Sequence, residues 1–260
     1  MTLQVLVATM NQNDHSLLEK MNIQSDAIVV NQCDHNEIES FSFNGHNVLW
    51  ISLNERGIGL SRNTALMRAS ADIILFADDD VHYYDDYVQK IESAFMDNSK
   101  ADMLLFDLDA IGDVKHTETP YKFRRVKWYN SLHYGAVHFA CKRGPLFASG
   151  ITYNLLFGGG AKYSCGEDSI FLANVLNSGF KVWTIPGSIG NVTHGESTWF
   201  KGYTDKYFYD KGVLMGTIFG IAAYLLVVAL FLKNTEQTKD YGLMKAIRIA
   251  FNGVKQRKIG

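Results

Sequence analysis

The sequence predicts an α/β fold in which a mostly parallel sheet is flanked by helices. Three observations lead there. Short apolar runs rich in β-branched residues recur through the first hundred residues, and helical stretches alternate with them. Several runs end directly in polar or acidic residues: Thr9, Asp34, and Asp78, Asp79 and Asp80. The composition is globular, with 47% apolar and 20% charged residues and only 3 prolines in 260 residues.

Residues 3–8 (LQVLVA) form a first strand, closed by Thr9-Met10-Asn11. Residues 17–21 belong to a helix after Asp14. Residues 26–30 (DAIVV) are a second strand, ending in Asn31-Gln32-Cys33-Asp34, and residues 47–52 (NVLWIS) a third. Residues 56–69 read as a helix entered through Gly57 and Gly59. Residues 72–77 (DIILFA) are a fourth strand, running straight into the three aspartates, and a helix follows over 84–96. Further on, 102–109 reads as a strand, 121–134 is basic and aromatic, and 136–141 is a strand candidate. Gly158, Gly159 and Gly160 make a loop. Residues 167–176 are a helix stopped near Gly179, and 181–185 a late strand. In such sheets ligands bind beyond the carboxyl ends of the strands, which is where Thr9, Asp34 and Asp78 to Asp80 fall.

The net charge of −2 gives no reason to expect nucleic acid as partner. Three widely spaced cysteines without a CxxC argue against a disulfide framework or a zinc ribbon and fit a reducing compartment. Residues 1–9 carry no basic leader, so the catalytic part is expected in the cytosol.

In FADDDV (76–81), extended backbone points Asp78 and Asp80 to one side. Adjacent carboxylates repel unless neutralised. A divalent cation that prefers oxygen, Mg²⁺ or Mn²⁺, does this and can bridge to a diphosphate. The plainer alternative is a solvated acidic turn.

At this point the stretch ERGIGLSRNTALMRASADIILFADDDV (55–81) resembles the family 2 glycosyltransferases. The resemblance implies a GT-A type fold and a nucleotide-diphospho-sugar donor. It implies that Asp78 and Asp80 of the DXD strand hold the metal and the sugar nucleotide, with Asp79 between them. Arg62 and Asn63 match the family's Arg-Asn pair near the nucleotide. Thr9 matches the threonine beside base and ribose, and Asn31, Asp34 and Arg56 complete the nucleotide side. The family often has Asp-Asp or Asp-Asn after its second strand, where this chain has Asn31-Gln32-Cys33-Asp34. The usual proline before Thr9 is Ala8.

GGGAKYSCGEDSIF (158–171) resembles the family's acceptor-side Glu-Asp motif. Transfer to a hydroxyl needs a general base within hydrogen-bond reach, and Asp168 at a helix start suits that role and the helix dipole. Alternatively Glu167 and Asp168 simply cap the helix. His194, in NVTHGESTWF (191–200), matches a late histidine that some related transferases place on the metal or diphosphate; a structural histidine is the alternative. GIGLSR (57–62) has Arg62 where a dinucleotide fingerprint needs glycine. KFRRVKW (122–128) fits contact with donor or acceptor phosphates. No GxSxG is present, and Cys165 reads as packing.

Residues 213–232 carry no charge and match the length of a bilayer span. Gly216 and Gly220 stand at close-packing spacing. Lysines flank both ends, so charge does not orient a span. In 241–259, Leu243, Ala246, Ile247, Ala250, Phe251 and Val254 share one helical face, with Lys245, Arg248 and Lys255 off it. Residues 1–212 hold 18 basic and 25 acidic residues; from Lys233 on there are 7 and 2.

The expectation is a catalytic domain over 1–210 and membrane-associating helices over 211–260, peripheral or monotopic at the cytoplasmic face of the membrane. A single span and a core or homodimer helix stay open. The activity expected is inverting, metal-dependent transfer from a nucleotide-diphospho-sugar to a hydroxyl of a lipid-linked glycan acceptor, in capsule or exopolysaccharide assembly. Two alternatives remain. One is a non-catalytic sugar-nucleotide or glycan-binding subunit of a membrane complex. The other is a nucleotidyltransferase, which would want a Gly-rich phosphate loop that residues 7–13 lack.

Overall fold

The protein is described by a computed structural model covering residues 1–111, 121–193 and 202–256. The chain runs β1 (Leu3–Met10), α1 (Leu17–Lys20), β2 (Asp26–Gln32), β3 (Glu37–Phe43), β4 (His46–Leu53), α2 (Ile58–Leu66), β5 (Ile73–Asp78), β6 (Val81–Tyr83) and α3 (Tyr87–Asp97). It continues as β7 (Met103–Ile111), β8 (Arg124–Arg125), β9 (Phe139–Lys142), α4 (Arg143–Ser149), α5 (Glu167–Asn177) and β10 (Val182–Thr193). Three helices close it: α6 (Asp205–Phe219), α7 (Ala223–Lys233) and α8 (Leu243–Val254).

The strands form one sheet in the order β3-β4-β2-β1-β5-β9-β7-β10-β6, with β8 pairing β10. Its parallel heart is β4-β2-β1-β5. The middles of these strands are runs of apolar residues because both faces are covered there, with the polar residues near their ends. Val5 and Val7 pack on one face with Leu17, Tyr87, Ile91 and Phe95. Leu6, Ile74 and Phe76 pack on the other with Ala65, Leu66, Phe171 and Val175. The period of two along β1 thus assigns α1 and α3 to one layer and α2 and α5 to the other.

Three features differ from the sequence expectation. β3 is an antiparallel edge strand beside β4. Its alternating EIESFSF hides it, because only Phe41 and Phe43 pack inward. β9 pairs antiparallel with both β5 and β7, so the sheet beyond β5 is mixed. β10 runs past Pro186 and Gly187, where a stop was expected, with register shifts on either side of Ser188.

The stretch Asp205–Lys233 is long and apolar enough to cross a membrane, with a mean hydropathy of 2.5 over its most apolar window. At Gly220 (φ +56°) the backbone leaves helical geometry, so this glycine separates α6 from α7, and a Cβ there would meet nothing within 4 Å. The close helix contact lies elsewhere. A Cβ on Gly212 would stand 2.0 Å from the Ala250 carbonyl oxygen, and one on Gly253 would stand 2.2 Å from that of Tyr209. Helix α8 therefore buries Ala246, Ala250 and Val254 in a cluster with Phe208, Met215, Val227 and Phe231. Much of the apolar face expected to meet lipid is used inside the molecule. The boundary expected at 210/211 falls within α6.

Candidate active site

From β1 the chain builds outward through β2 to β4, then returns to place β5 on the other side of β1. The carboxyl ends of β1 and β5 therefore flank a topological switch point, where open α/β sheets bind ligands. Thr9 Oγ1, at the end of β1, donates to Asp79 Oδ2 across this point at 2.5 Å. The same hydroxyl accepts from Gln12 Nε2 at 2.9 Å. The Asn31 carboxamide closes the loop by bonding both the N–H and the C=O of Gln12, each at 3.0 Å. Arg56 donates to the Gln32 carbonyl at 3.0 Å and to Asn11 Oδ1 at 3.2 Å. These contacts bring Thr9, Asn31, Arg56 and Asp79 to one edge.

Arg62 is the centre of the site. Its side chain is only 3% exposed, yet it meets three carboxylates. Nη2 donates to Asp78 Oδ1 at 2.8 Å and Oδ2 at 3.2 Å. Nη1 donates to Asp168 Oδ1 at 2.5 Å and Glu167 Oε1 at 3.3 Å. The guanidinium lies 5.3 Å from the Tyr153 ring centroid, and that ring stacks on Phe171 at 4.2 Å. Burial works against the charge, but Asp168 and then Asp78 outweigh it and hold Arg62 protonated well above its usual range. Such a buried cation persists only because its partners are this close.

The carboxylates feel the same environment with opposite sign. Burial, then repulsion from Asp168, pushes Glu167 up to about 7. Burial raises Asp168 too, against the pull of Arg62. Asp168 Oδ2 also accepts the Ala136 backbone N–H at 3.0 Å. Gly158 (φ +102°) lets the 158–166 loop pass over this pair, since a Cβ there would stand 2.8 Å from Glu167 Cδ.

Other residues from the sequence reading are placed differently. Asn63 faces the interior, where its carboxamide bonds both the Tyr153 N–H (2.7 Å) and C=O (2.9 Å) and so ties α2 to residue 153. The side chain of Asp34 is 97% exposed, and the hydrogen bond from His35 holds its carboxyl below the usual range. His194 lies outside the described residues.

Two places fit a metal ion by donor chemistry. Asp78 and Asp80 offer hard oxygen ligands of the kind Mg²⁺ and Mn²⁺ take, although Asp78 is paired with Arg62. Among the described residues, Cys33, Asp34 and His35 are the group whose ligand atoms converge, within 4.8 Å of one another. That cluster can hold an ion, but a thiol and an imidazole suit a softer one.

Gln12, Tyr153 and Asp210 escaped the sequence reading. Gln12 had no signal beyond its place three residues after Thr9. Asp210 had one: an acid four residues after Lys206, at the spacing of an i,i+4 ion pair on a helix, just ahead of the uncharged stretch 213–232.

The α/β sheet flanked by helices is consistent with the GT-A fold of glycosyltransferases. Residues 8–150, more than half of the chain, match the family described as glycosyl transferase family 2, and the chain belongs to that family. Its activity is thus the family's general one, transfer of a sugar from a nucleotide-diphospho-sugar donor. Among solved structures, the chain is similar to S. aureus TarS 1-349. The TM-score is 0.64 at 15% identity, covering 99% of this chain and 83% of that one. For TarS 1-349 in complex with UDP-GlcNAc the TM-score is 0.61 at 15% identity, covering 94% and 74%. At this identity the likeness establishes the fold. No match is found among curated protein sequences.

Proposed function

We propose that the chain is an inverting glycosyltransferase that moves a sugar from a nucleotide-diphospho-sugar to a hydroxyl of a lipid-linked glycan at the inner leaflet. The observation that carries this reading is the Arg62 bridge, which joins Asp78 on the DXD strand to Asp168 at the start of α5. The reading puts the donor at the β1–β5 edge, near Thr9, Asn31 and Asp79, and the acceptor on the Asp168 side. Asp168 takes the proton as the acceptor hydroxyl attacks the anomeric carbon. The bond from that carbon to the diphosphate breaks on the opposite face, so configuration inverts and the nucleoside diphosphate leaves. Among the described residues Asp168 Oδ1 accepts from Arg62 and Oδ2 from the Ala136 N–H, and a carboxylate oxygen has a second lone pair to offer. A divalent ion at Asp78 and Asp80 would supply charge neutralisation to the leaving diphosphate.

The membrane part of the proposal is supported by the outer face of α7 and the turn before it. Ile221, Leu225 and Leu232 are exposed there on one helical stripe. Trp128, itself exposed, packs against Phe219 at 6.4 Å between centroids, beside exposed Tyr129. Basic residues flank both segments.

A screen of nucleotide sugars for binding and turnover, with Mg²⁺ and Mn²⁺ and membrane-extracted acceptor, tests the reading. Transfer with inverted anomeric configuration supports it. Retained configuration overturns the mechanism. Donor binding without turnover across all acceptors would favour a non-catalytic subunit.

A further inference from the structure

Asp210 lies on α6, outside the cluster around Arg62, and is only 2% exposed. Its Oδ2 accepts three donors: the Ser164 backbone N–H at 3.0 Å, Ser164 Oγ at 2.9 Å and Lys206 Nζ at 2.6 Å. A buried carboxylate is costly unless it is paired and hydrogen-bonded. Here that expense secures one short segment, three residues ahead of Glu167. One turn further along α6, Leu214 meets the same segment again. Gly166 (φ +111°) passes so close that a Cβ there would stand 2.5 Å from Leu214 Cδ1. Val213 and Leu214 also share a buried cluster with Phe157, Tyr163 and Ile170, which come from the loop and from α5. Helix α6 therefore grips the chain on both sides of Cys165, immediately before the Glu167–Asp168 pair.

We propose that Asp210 is a positioning residue for Glu167 and Asp168, which makes α6 part of the transfer machinery rather than an appended anchor. This rests on the transferase reading above. Asp210 touches no reacting atom. It acts by fixing Ser164, and through Ser164 and Gly166 the direction in which α5 starts. Displacement of a base by about 1 Å is enough to cost ~100-fold in rate, so one anchoring carboxylate at this place has leverage.

The test compares full-length wild type with Asp210→Ala, Asp210→Asn and Ser164→Ala. Asn keeps an acceptor for Ser164 while losing the charge that pairs with Lys206. The expected result is a kcat lowered at least about tenfold in Asp210→Ala, partly restored in Asp210→Asn and mildly lowered in Ser164→Ala. Donor KM should change little, because the donor side rests on β1 and β5. A kcat unchanged in a folded Asp210→Ala overturns the proposal. If that variant does not fold, unchanged kcat in both other variants overturns it. So does a loss that tracks melting temperature alone, with no rescue by Asn. Hydrogen–deuterium exchange separates this proposal from the transferase reading, since it needs no turnover. Amides over 163–170 should lose protection in Asp210→Ala and lose less in Asp210→Asn, and unchanged protection in Asp210→Ala counts against the proposal even if no substrate is found. A wild type without transfer activity but with that loss of protection would overturn the transferase reading alone.

Discussion

Arg62 Nη1 lies 2.5 Å from Asp168 Oδ1, and this contact makes the proposed base and the DXD strand share one cation. Replacing Arg62 therefore disturbs both halves of the site. Lysine has one ammonium where arginine has a planar fork, so it cannot span the three carboxylates. Arg62→Lys is expected to lose at least about 100-fold in turnover. Arg62→Ala, which leaves buried carboxylates uncompensated, is expected to lose about 3–5 kcal/mol of stability as well. Steady-state kinetics and denaturant melts check this, and a wild-type kcat in Arg62→Lys would refute the bridging role.

Asp168→Asn keeps the size of the side chain and removes the basic oxygen. Transfer should fall by ~10² to 10⁴, while calorimetric affinity for the donor stays near wild type. Undiminished transfer would exclude Asp168 as the base.

Glu167 gives a pH signature in stability. Its folded-state value is raised, to about 7 from an ordinary 4.5, so the folded chain binds this proton more tightly than the unfolded chain. That contribution favours the fold at low pH and is lost as pH rises between those two values. Thermal melts of wild type and Glu167→Gln at pH 5 and pH 8 should show the variant gaining relative to wild type at the higher pH. A relative gain at the lower pH would reverse the sign.

The two candidate ion sites separate by chelation. Turnover should fall on EDTA treatment and return with Mn²⁺ or Mg²⁺. Asp80→Ala should fail to recover, and Cys33→Ser should recover fully. Recovery in Asp80→Ala but not in Cys33→Ser would move the ion to the Cys33 loop.

Leu225 and Ile221 are exposed and away from the α6–α8 contact. Leu225→Asp with Ile221→Asp is expected to shift the protein from the membrane to the soluble fraction with little change in melting temperature. Flotation with anionic vesicles measures the shift, and an unaltered partition would remove this face from the membrane proposal.

How much of this was legible in the sequence depended on the range of the forces involved. The buried strands around Val5, Val29 and Leu75 announce themselves because burial on both faces demands unbroken apolar runs. The acidic end of β5 is local as well, so Asp78 to Asp80 could be singled out. Asn63 reads as a nucleotide neighbour in sequence, and only the fold brings it to the backbone of Tyr153, 90 residues away. Glu167 and Asp168 could be seen as a pair, whereas their shared cation is 105 and 106 positions removed. β3 stayed hidden because an edge strand tolerates polar residues on its open face. In α8 the apolar periodicity was visible, but its choice between lipid and α6 rests on Gly212 and Gly253, whose close approach is a tertiary fact.

The antiparallel pairing of β9 with β5 has a consequence for how the chain is made. As the polypeptide leaves the ribosome, β1, β2, β4 and β5 can assemble, but the outer edge of β5 has no strand beside it until Phe139–Lys142 has been synthesised. Through that interval the nascent chain carries an unpaired apolar edge, the kind of surface that recruits other strands. A nascent chain arrested before residue 139 should therefore be prone to aggregate, and the early strands are sealed only when Phe139–Lys142, near the end of the family-matching stretch, arrives to close the seam.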